Sequence, residues 1–312
     1  MKIVFLGSGA FGIPTLDHLA RKHTITGIVT QPDRKAGRKK VLTATPIGAW
    51  ADEHLPGVPV LKPKKINADE PREIIRNWNT DAWVVIAYGQ YLGTKLLDDR
   101  FAINLHASLL PRWRGAAPIN AAMVAGDKVT GNSVITIAKS MDAGFVLGQS
   151  KRTIEPNQTV GTLHDLLASD GPALVQSVLD DFANDRVNYQ EQDESLVTTA
   201  SKMAKSDGWI EFNDEARMVS AKINGLSPWP GVSVQHRDEV LKINRSQPYQ
   251  AESQQPTGTI IDAVEGLVAC GHGTVIQLLD VQPPGKRSME WNSYANGRKI
   301  ESGEIFVGKS GA

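Results

Sequence analysis

The chain has 312 residues, 41% hydrophobic and 22% charged, with 34 lysines and arginines balancing 34 aspartates and glutamates. That is a globular composition, long enough for two domains. Zero net charge excludes the overall basicity of a dedicated nucleic-acid binder, so any RNA contact must rest on local clusters. The single cysteine, Cys270, excludes a disulfide framework and a cysteine-rich zinc site. It reads as a small buried apolar residue and fits a reducing, cytoplasmic setting. The apolar start of the chain is too short for a signal sequence, and no stretch approaches the roughly 18 uncharged apolar residues of a membrane span.

Residues 2–6 form a short apolar strand that ends in Gly7-Ser-Gly-Ala-Phe-Gly12, and a helix-like pattern follows through Leu16, Leu19 and Ala20. Residues 24–30 are β-branched and predict a second strand. Helices are predicted over 45–54 and 69–78, with a short strand over 58–61 between them. The fully apolar run 82–87 is typical of a central parallel strand, and Phe101–His106 is the next strand. A helix over 119–125 and a strand over 133–138 follow. This alternation predicts an α/β domain, a doubly wound and mostly parallel sheet of Rossmann-like form, over residues 1–188.

Residues 184–199 are polar and acidic without apolar periodicity, which predicts a linker, drawn over 189–206. The pattern then changes. A helix over 216–226 is broken by Ser227-Pro-Trp-Pro-Gly231. Short strand candidates follow at Val232–His236, 240–244, 258–263, 266–269 and 275–281. Residues 207–312 are therefore expected to form a small, OB-like β-barrel.

Gly7, Gly9 and Gly12 fit a dinucleotide fingerprint between a strand and a helix. That motif needs an acidic residue at the end of the second strand, about 20 positions on. Here the strand runs into Val29-Thr-Gln31, with Asp33 beyond it. Tight strand-to-helix packing is the better reading of the glycines. Arg34, Lys35, Arg38, Lys39 and Lys40 crowd five cations into positions 34–40 of a Pro- and Gly-containing loop. Such a loop is either a solvated surface or a phosphate-binding element.

Asn104-Leu-His106 closes the strand Phe101–His106. Side chains two apart on a strand share a face, so an amide donor and an imidazole would project together. That pair suits a reaction in which a carbonyl oxygen gains charge while a proton moves. In isolation Asn-x-His could equally be a strand end bonded to nearby backbone, and Asp142 in Ser140-Met-Asp-Ala-Gly144 a turn aspartate.

The run Asn104-Leu-His-Ala-Ser-Leu-Leu-Pro-Arg-Trp-Arg-Gly-Ala-Ala-Pro118, with Asp142, resembles the active-site segments of the folate-dependent formyltransferases. The resemblance covers nearly the whole chain and extends to Ser201–Phe212, Asn224–Pro230 and Val281–Lys286. It implies a catalytic set of Asn104, His106 and Asp142, with Asp142 near the imidazole and ordering water. It implies folate contacts through Tyr88, Gly89 and Gln90, by backbone groups, and through Ser108, Leu109, Leu110 and Pro111. The formyl donor would be 10-formyltetrahydrofolate, with no metal.

The basic loop is similar to an insertion in the tRNA-directed members of the family. This implies tRNA contacts by Arg34, Lys35, Arg38, Lys39 and Lys40, Arg38 foremost, and initiator methionyl-tRNA as acceptor. Lys202, Lys205, Lys222, Lys242 and Arg245 could assist, although singly each reads as a surface charge. No membrane and no obligate protein partner is expected. The opening Gly-Ser-Gly-Ala-Phe-Gly departs from the family's more usual Gly-Thr-Pro-x-Phe. A formyltransferase acting on an amino-sugar nucleotide would share the catalytic set without needing the basic loop.

Overall fold

The computed structural model describes residues 1–37, 40–98 and 100–308. The chain divides into two compact units. The first holds Met1–Arg114, Gly131–Arg152 and His164–Thr199, and the second holds Gly115–Thr130, Thr153–Leu163 and the chain from Ala200 onward. The units interleave along the sequence, more finely than the single boundary at residue 188 expected from pattern alone.

The first unit begins with β1 (Lys2–Gly7), α1 (Ile13–Lys22), β2 (Thr24–Val29), and the short pair β3 (Arg34–Ala36) and β4 (Val41–Thr43). It continues with α2 (Pro46–His54), β5 (Val60–Leu61), α3 (Asp69–Arg76), β6 (Ala82–Ile86), α4 (Thr94–Leu97) and β7 (Phe101–His106). After β8 (Arg114–Gly115) and α5 (Pro118–Val124) come β9 (Val129–Thr136), β10 (Val146–Thr153) and the long α6 (Val160–Ala183). The main sheet has seven strands in the order β10-β9-β7-β6-β1-β2-β5. Pairs β1–β2, β1–β6, β2–β5 and β6–β7 are parallel, and β7–β9 is antiparallel.

The apolar runs account for the centre of this sheet. Ile3, Val4, Phe5 and Leu6 of β1 and Trp83, Val84 and Ile86 of β6 are all fully buried. A strand covered on both faces has no polar side to present, which explains why these runs do not alternate. Each such side chain contributes roughly 1.5–3 kcal/mol on burial. Helix α1 has Pro14 in its first turn and Arg21 and Lys22 in its last, which suits both its start and its dipole. It buries Thr15, Leu16 and Leu19 along one stripe. Thr45 caps α2 by accepting the Gly48 N–H at 3.0 Å. The strand over 133–138 proves longer, as β9, and both β10 and α6 emerge where the pattern predicted nothing definite.

In the second unit α5 packs on α7 (Ala216–Gly225), where Asn120 Nδ2 donates to the Gly225 carbonyl at 2.8 Å. A two-residue strand, β11 (Thr199–Ala200), pairs with β8 at the point where the chain enters this unit. The remaining strands are β12 (Val232–His236), β13 (Glu239–Tyr249), β14 (Ile260–Asp262), β15 (Leu267–Ala269), β16 (Val275–Gln282) and β17 (Met289–Glu290), followed by α8 (Trp291–Arg298). Their sheet runs β12-β13-β16-β15-β14, with β17 on β16.

Its two edges are joined by the segment after α8. Val307 exchanges backbone bonds with Gln235 of β12 at 2.7 and 2.9 Å, while Ile260 N–H donates to the Glu304 carbonyl at 2.8 Å and Phe306 N–H to the Gly258 carbonyl at 2.9 Å. That closure yields the expected barrel, because no long edge is left open. Phe212, Leu241, Ile276, Trp291 and Phe306 share its core. Cys270 is buried in the same core, and burial pushes its thiol up to about 12, so it serves as an inert apolar residue.

The barrel carries an acid-sensitive cluster. His236 is buried, with Nε2 at 3.0 Å from Glu304 and Nδ1 at 3.2 Å from the Tyr294 hydroxyl. Burial lowers its proton affinity, so the neutral ring donates from Nε2 to Glu304. Hydrogen bonding from Arg237 takes the Glu304 carboxyl down to about 2. Both groups are depressed relative to the unfolded chain, so both favour folding at high pH and cease to do so on acidification. The melting midpoint is expected to fall as pH drops below about 6.5, the ordinary histidine value. It should fall again below about 4.5, the ordinary glutamate value, as Glu304 protonates. Thermal melts across that range check this, and Glu304→Gln should make the second fall smaller.

Candidate active site

In an open parallel sheet, ligands bind beyond the carboxyl ends of the strands, where neighbouring strands lead away in opposite directions. β1 lies between β2 and β6, so this point falls at the ends of β1, β6 and β7. Asn104 pairs in register with Val85 of β6 and Ile135 of β9, and His106 pairs with Ser133. A slip of one residue would turn both side chains to the opposite face, and this buried register forbids it.

Asn104, His106 and Asp142 come together as expected. Asn104 Nδ2 lies 3.5 Å from Asp142 Oδ1, and His106 Nδ1 lies 3.6 Å from Asp142 Oδ2. The carboxylate thus faces the amide with one oxygen and the imidazole with the other. The His106 and Asp142 side chains are only 6% and 13% exposed, which strengthens every charge interaction between them. An amide nitrogen carries two N–H groups, so Asn104 can face Asp142 and still donate to a substrate oxygen.

The other ring nitrogen defines the tautomer. His106 Nε2 is 2.9 Å from the Trp113 carbonyl. A carbonyl only accepts, so Nε2 carries a proton. The neutral ring therefore has its lone pair on Nδ1, turned toward Asp142. With that lone pair 3.6 Å from Asp142 Oδ2, a proton gained by the ring in the reaction would lie beside the carboxylate. Nδ1 is accordingly the nitrogen that can take up and release a proton beside the carboxylate.

Residues that the sequence pattern missed hold these loops. Gln192 Nε2 donates to the carbonyls of Asp142 and Gly144 at 2.8 and 2.7 Å. Thr198 Oγ1 accepts the Trp113 N–H at 2.9 Å. Both come from the stretch read as a linker, which is in fact bonded into the first unit. Gln190 also exchanges backbone bonds with Val146 at 2.8 and 3.0 Å. Gly144 has no room for a side chain, since a Cβ there would lie 1.7 Å from the Thr136 carbonyl oxygen.

The two segments expected to meet folate are fixed by hydrogen bonds to both their side chains and their backbone. Tyr88 is buried in the sheet core, and burial pushes its phenol well above the ordinary tyrosine range. Its carbonyl accepts from Ser8 Oγ at 3.0 Å and Gln31 Nε2 at 3.2 Å. Gln90 uses both ends of its amide on backbone, accepting from Ile66 N–H at 2.9 Å and donating to the Pro63 carbonyl at 3.0 Å. Ala87 and Gly89, with φ of 48° and 87°, turn the chain sharply between these anchors.

In the second segment the Ser108 hydroxyl donates to the Arg112 carbonyl at 2.7 Å. Ser133 Oγ donates to the Ser108 carbonyl at 2.7 Å and accepts from Leu110 N–H at 3.0 Å and Gln149 Nε2 at 2.8 Å. That hydroxyl is saturated, which pins residues 108–110 beneath the strand end. Leu109 and Pro111 are half-buried.

Gly7 and Gly12 serve packing. A Cβ on Gly7 would meet Phe5 at 2.6 Å, and one on Gly12 would meet it at 3.2 Å. Asp33 is ion-paired to Lys62 at 2.8 Å. The basic loop is a hairpin rather than irregular chain, with Arg34 paired to Thr43 and Lys35 to Leu42. Arg34, Lys35 and Lys40 are exposed, as are Val41 and Leu42. Arg38 and Lys39 lie outside the described residues. Arg245, on β13, is ion-paired to Asp280 at 2.6 Å.

A mostly parallel sheet presenting an amide donor, an imidazole and a carboxylate at one strand end has the groups an acyl-transfer enzyme needs. The formyl transferase family profile matches residues 1–179, and that of the formyl transferase C-terminal domain matches 202–299, so the chain belongs to the formyl transferase family. Within that family it is 40% identical over 304 residues to the methionyl-tRNA formyltransferase of Methylococcus capsulatus, covering 96% of this chain and 98% of the relative.

Two solved structures share the fold at low identity. An N-formyltransferase from Helicobacter canadensis, bound to folinic acid and dTDP-3-aminofucose, has a TM-score of 0.69 at 13% identity, over 91% of this chain and 99% of that one. The methionyl-tRNA formyltransferase of Clostridium thermocellum has a TM-score of 0.54 at 12% identity, over 81% and 95%. No helix among the described residues is long and apolar enough to cross a membrane.

Proposed function

We propose that this protein transfers the formyl group of 10-formyltetrahydrofolate to the α-amino group of initiator methionyl-tRNA, giving formylmethionyl-tRNA in the cytoplasm. The observation that carries the reading is the carboxylate of Asp142, shared between the Asn104 amide at 3.5 Å and His106 Nδ1 at 3.6 Å. The near full-length likeness to a methionyl-tRNA formyltransferase supports the choice of acceptor.

The neutral amine attacks the formyl carbon, and the formyl oxygen gains negative charge. Asn104 donates its free N–H to that oxygen. His106 takes at Nδ1 the proton that the attacking amine releases, and the imidazolium so formed helps stabilise the oxygen and delivers that proton to the folate nitrogen as the carbon–nitrogen bond to folate breaks. Asp142 holds the imidazole and a water in place. An amine attacking an activated formamide needs no serine or cysteine nucleophile. The backbone of Tyr88-Gly-Gln90 and of Ser108–Pro111 forms the folate-binding rim.

The test is incubation of the purified protein with 10-formyltetrahydrofolate and methionine-charged initiator tRNA, following formylmethionine. Product that vanishes in Asn104→Ala and His106→Ala supports the reading. Formylation of an amino-sugar nucleotide in place of the tRNA would reassign the acceptor.

The hairpin of Arg34, Lys35 and Lys40, with the adjoining Arg38 and Lys39, is read as the tRNA-phosphate contact. Arg34→Ala with Lys35→Ala is expected to raise KM for tRNA while leaving folate KM unchanged. For every phosphate that the variant no longer neutralises, the log–log salt dependence should flatten by roughly 0.7–0.9. An unaltered salt slope would return these residues to a solvated surface.

A further inference from the structure

Two residues in the loops that flank His106 adopt left-handed backbone without being glycine. Trp113 has φ 63° and Asp142 has φ 53°. That region is strained for a residue that bears a side chain and persists where neighbouring bonds hold it. In both loops one polar segment, residues 192–198, supplies such bonds.

Gln192 donates to the carbonyls of Asp142 and Gly144 at 2.8 and 2.7 Å, so it grips the loop on both sides of Ala143. Its Oε1 accepts from Arg114 Nε at 3.0 Å, and Arg114 is paired to Glu194 at 2.8 Å. Thr198 accepts the Trp113 N–H through its hydroxyl at 2.9 Å and the Arg114 N–H through its carbonyl at 2.9 Å. With the peptides on both of its sides anchored, Trp113 presents its carbonyl to His106 Nε2 at 2.9 Å.

We propose that Thr198 and Gln192 are positioning residues for the transfer: Thr198 holds the Trp113 carbonyl that fixes the His106 tautomer, and Gln192 holds the loop that aims Asp142 at His106 Nδ1. The proposal rests on the catalytic reading of His106 and Asp142 given above. Its physical content is that each acts on one partner of the pair. If the Trp113 carbonyl swings away, nothing fixes the proton on Nε2, and a neutral ring can place it on Nδ1, where it faces Asp142. The nitrogen that should exchange a proton during the reaction is then already occupied. If the Asp142 loop relaxes, the tautomer survives but the carboxylate drifts from Nδ1. A displacement of about 1 Å at a reacting centre costs on the order of 100-fold in rate.

The experiment compares Thr198→Val, Thr198→Ser and Gln192→Met in the full chain, with His106→Ala alongside. Readouts are kcat, KM for both substrates, the melting midpoint, and nitrogen NMR of labelled histidine with the His106 ring neutral. Thr198→Val is expected to lower kcat about 10- to 100-fold with both KM values unchanged, and to populate the Nδ1–H form of His106. Thr198→Ser, which keeps the hydroxyl, should restore both. Gln192→Met should lower kcat similarly while the ring stays Nε2–H. Thr198→Ala removes the same hydroxyl should valine not be accommodated.

Wild-type kcat in Thr198→Val and Gln192→Met, or a Thr198→Val ring that remains wholly Nε2–H, overturns the proposal. If His106→Ala is inactive in that case, the catalytic reading stands without it. If His106→Ala keeps full turnover, the catalytic reading falls, and the nitrogen spectrum still decides whether Thr198 fixes the ring.

Discussion

Replacing Asn104 by alanine is expected to lower kcat by about 100- to 1,000-fold, the usual cost of one oxyanion donor, or roughly 3–4 kcal/mol of transition-state stabilisation. The loss should fall on kcat rather than on KM. In the ground state the formyl oxygen carries little charge, so a hydrogen bond to it adds little to binding. As the amine attacks, the oxygen becomes anionic, and the bond from Nδ2 strengthens in a site where the neighbouring His106 and Asp142 are 6% and 13% exposed.

Asn104→Asp sharpens the same test. It keeps the shape, removes both N–H donors, and sets a second carboxylate where Nδ2 now lies 3.5 Å from Asp142 Oδ1. Two carboxylates that close cannot both ionise freely. The aspartate variant should therefore be no faster than alanine at neutral pH. Single-turnover kinetics with saturating folate and tRNA measures the chemical step directly. Turnover within about threefold of the wild type in either variant, far short of the usual oxyanion-donor loss, would remove Asn104 from that role.

What could be read from the sequence follows from how strongly each feature marks its residues. The buried strands β1 and β6 announce themselves as unbroken apolar runs. Asn104 and His106 stand out because a polar pair at i and i+2 interrupts such a pattern at a strand end. The barrel is legible as a series of short strands, yet its closure is not: the closing segment at Glu304–Val307 is too brief to show any period. The hairpin β3–β4 is hidden by the Pro, Gly and basic content of its sequence, which resembles irregular loop, although Val41-Leu-Thr43 carries ordinary strand residues.

The supports of the site are hidden more thoroughly. Trp113 contributes through its backbone carbonyl, which every residue type possesses. Gln192 and Thr198 sit in a stretch without periodicity, and their bonds run 50 and 85 residues back along the chain. Such contacts leave no local signature. A polar, aperiodic segment reads as a linker whether it is loose or fully engaged, so this part of the site emerges only with the fold.

His106→Ala is expected to lower kcat by about 100- to 10,000-fold, the range of a general acid–base group, with folate affinity nearly intact. The ring makes two separable contributions. Through Nε2 it bonds the Trp113 carbonyl at 2.9 Å, and through Nδ1 it faces Asp142 at 3.6 Å. Alanine removes both, so a slow alanine variant alone would not say which one matters. Glutamine separates them, since it can still donate an N–H toward the Trp113 carbonyl but has no group that takes up a proton near neutral pH.

If the reaction depends on proton movement at Nδ1, His106→Gln should be as slow as His106→Ala, and added imidazole should recover part of the alanine variant's rate by filling the vacated space. If His106 serves only to brace the Trp113 turn, glutamine should approach the wild type and imidazole should do nothing. Proton transfer predicts the first pair of results because a neutral amide can neither supply the folate nitrogen with a proton nor accept one from the attacking amine, however well it is placed.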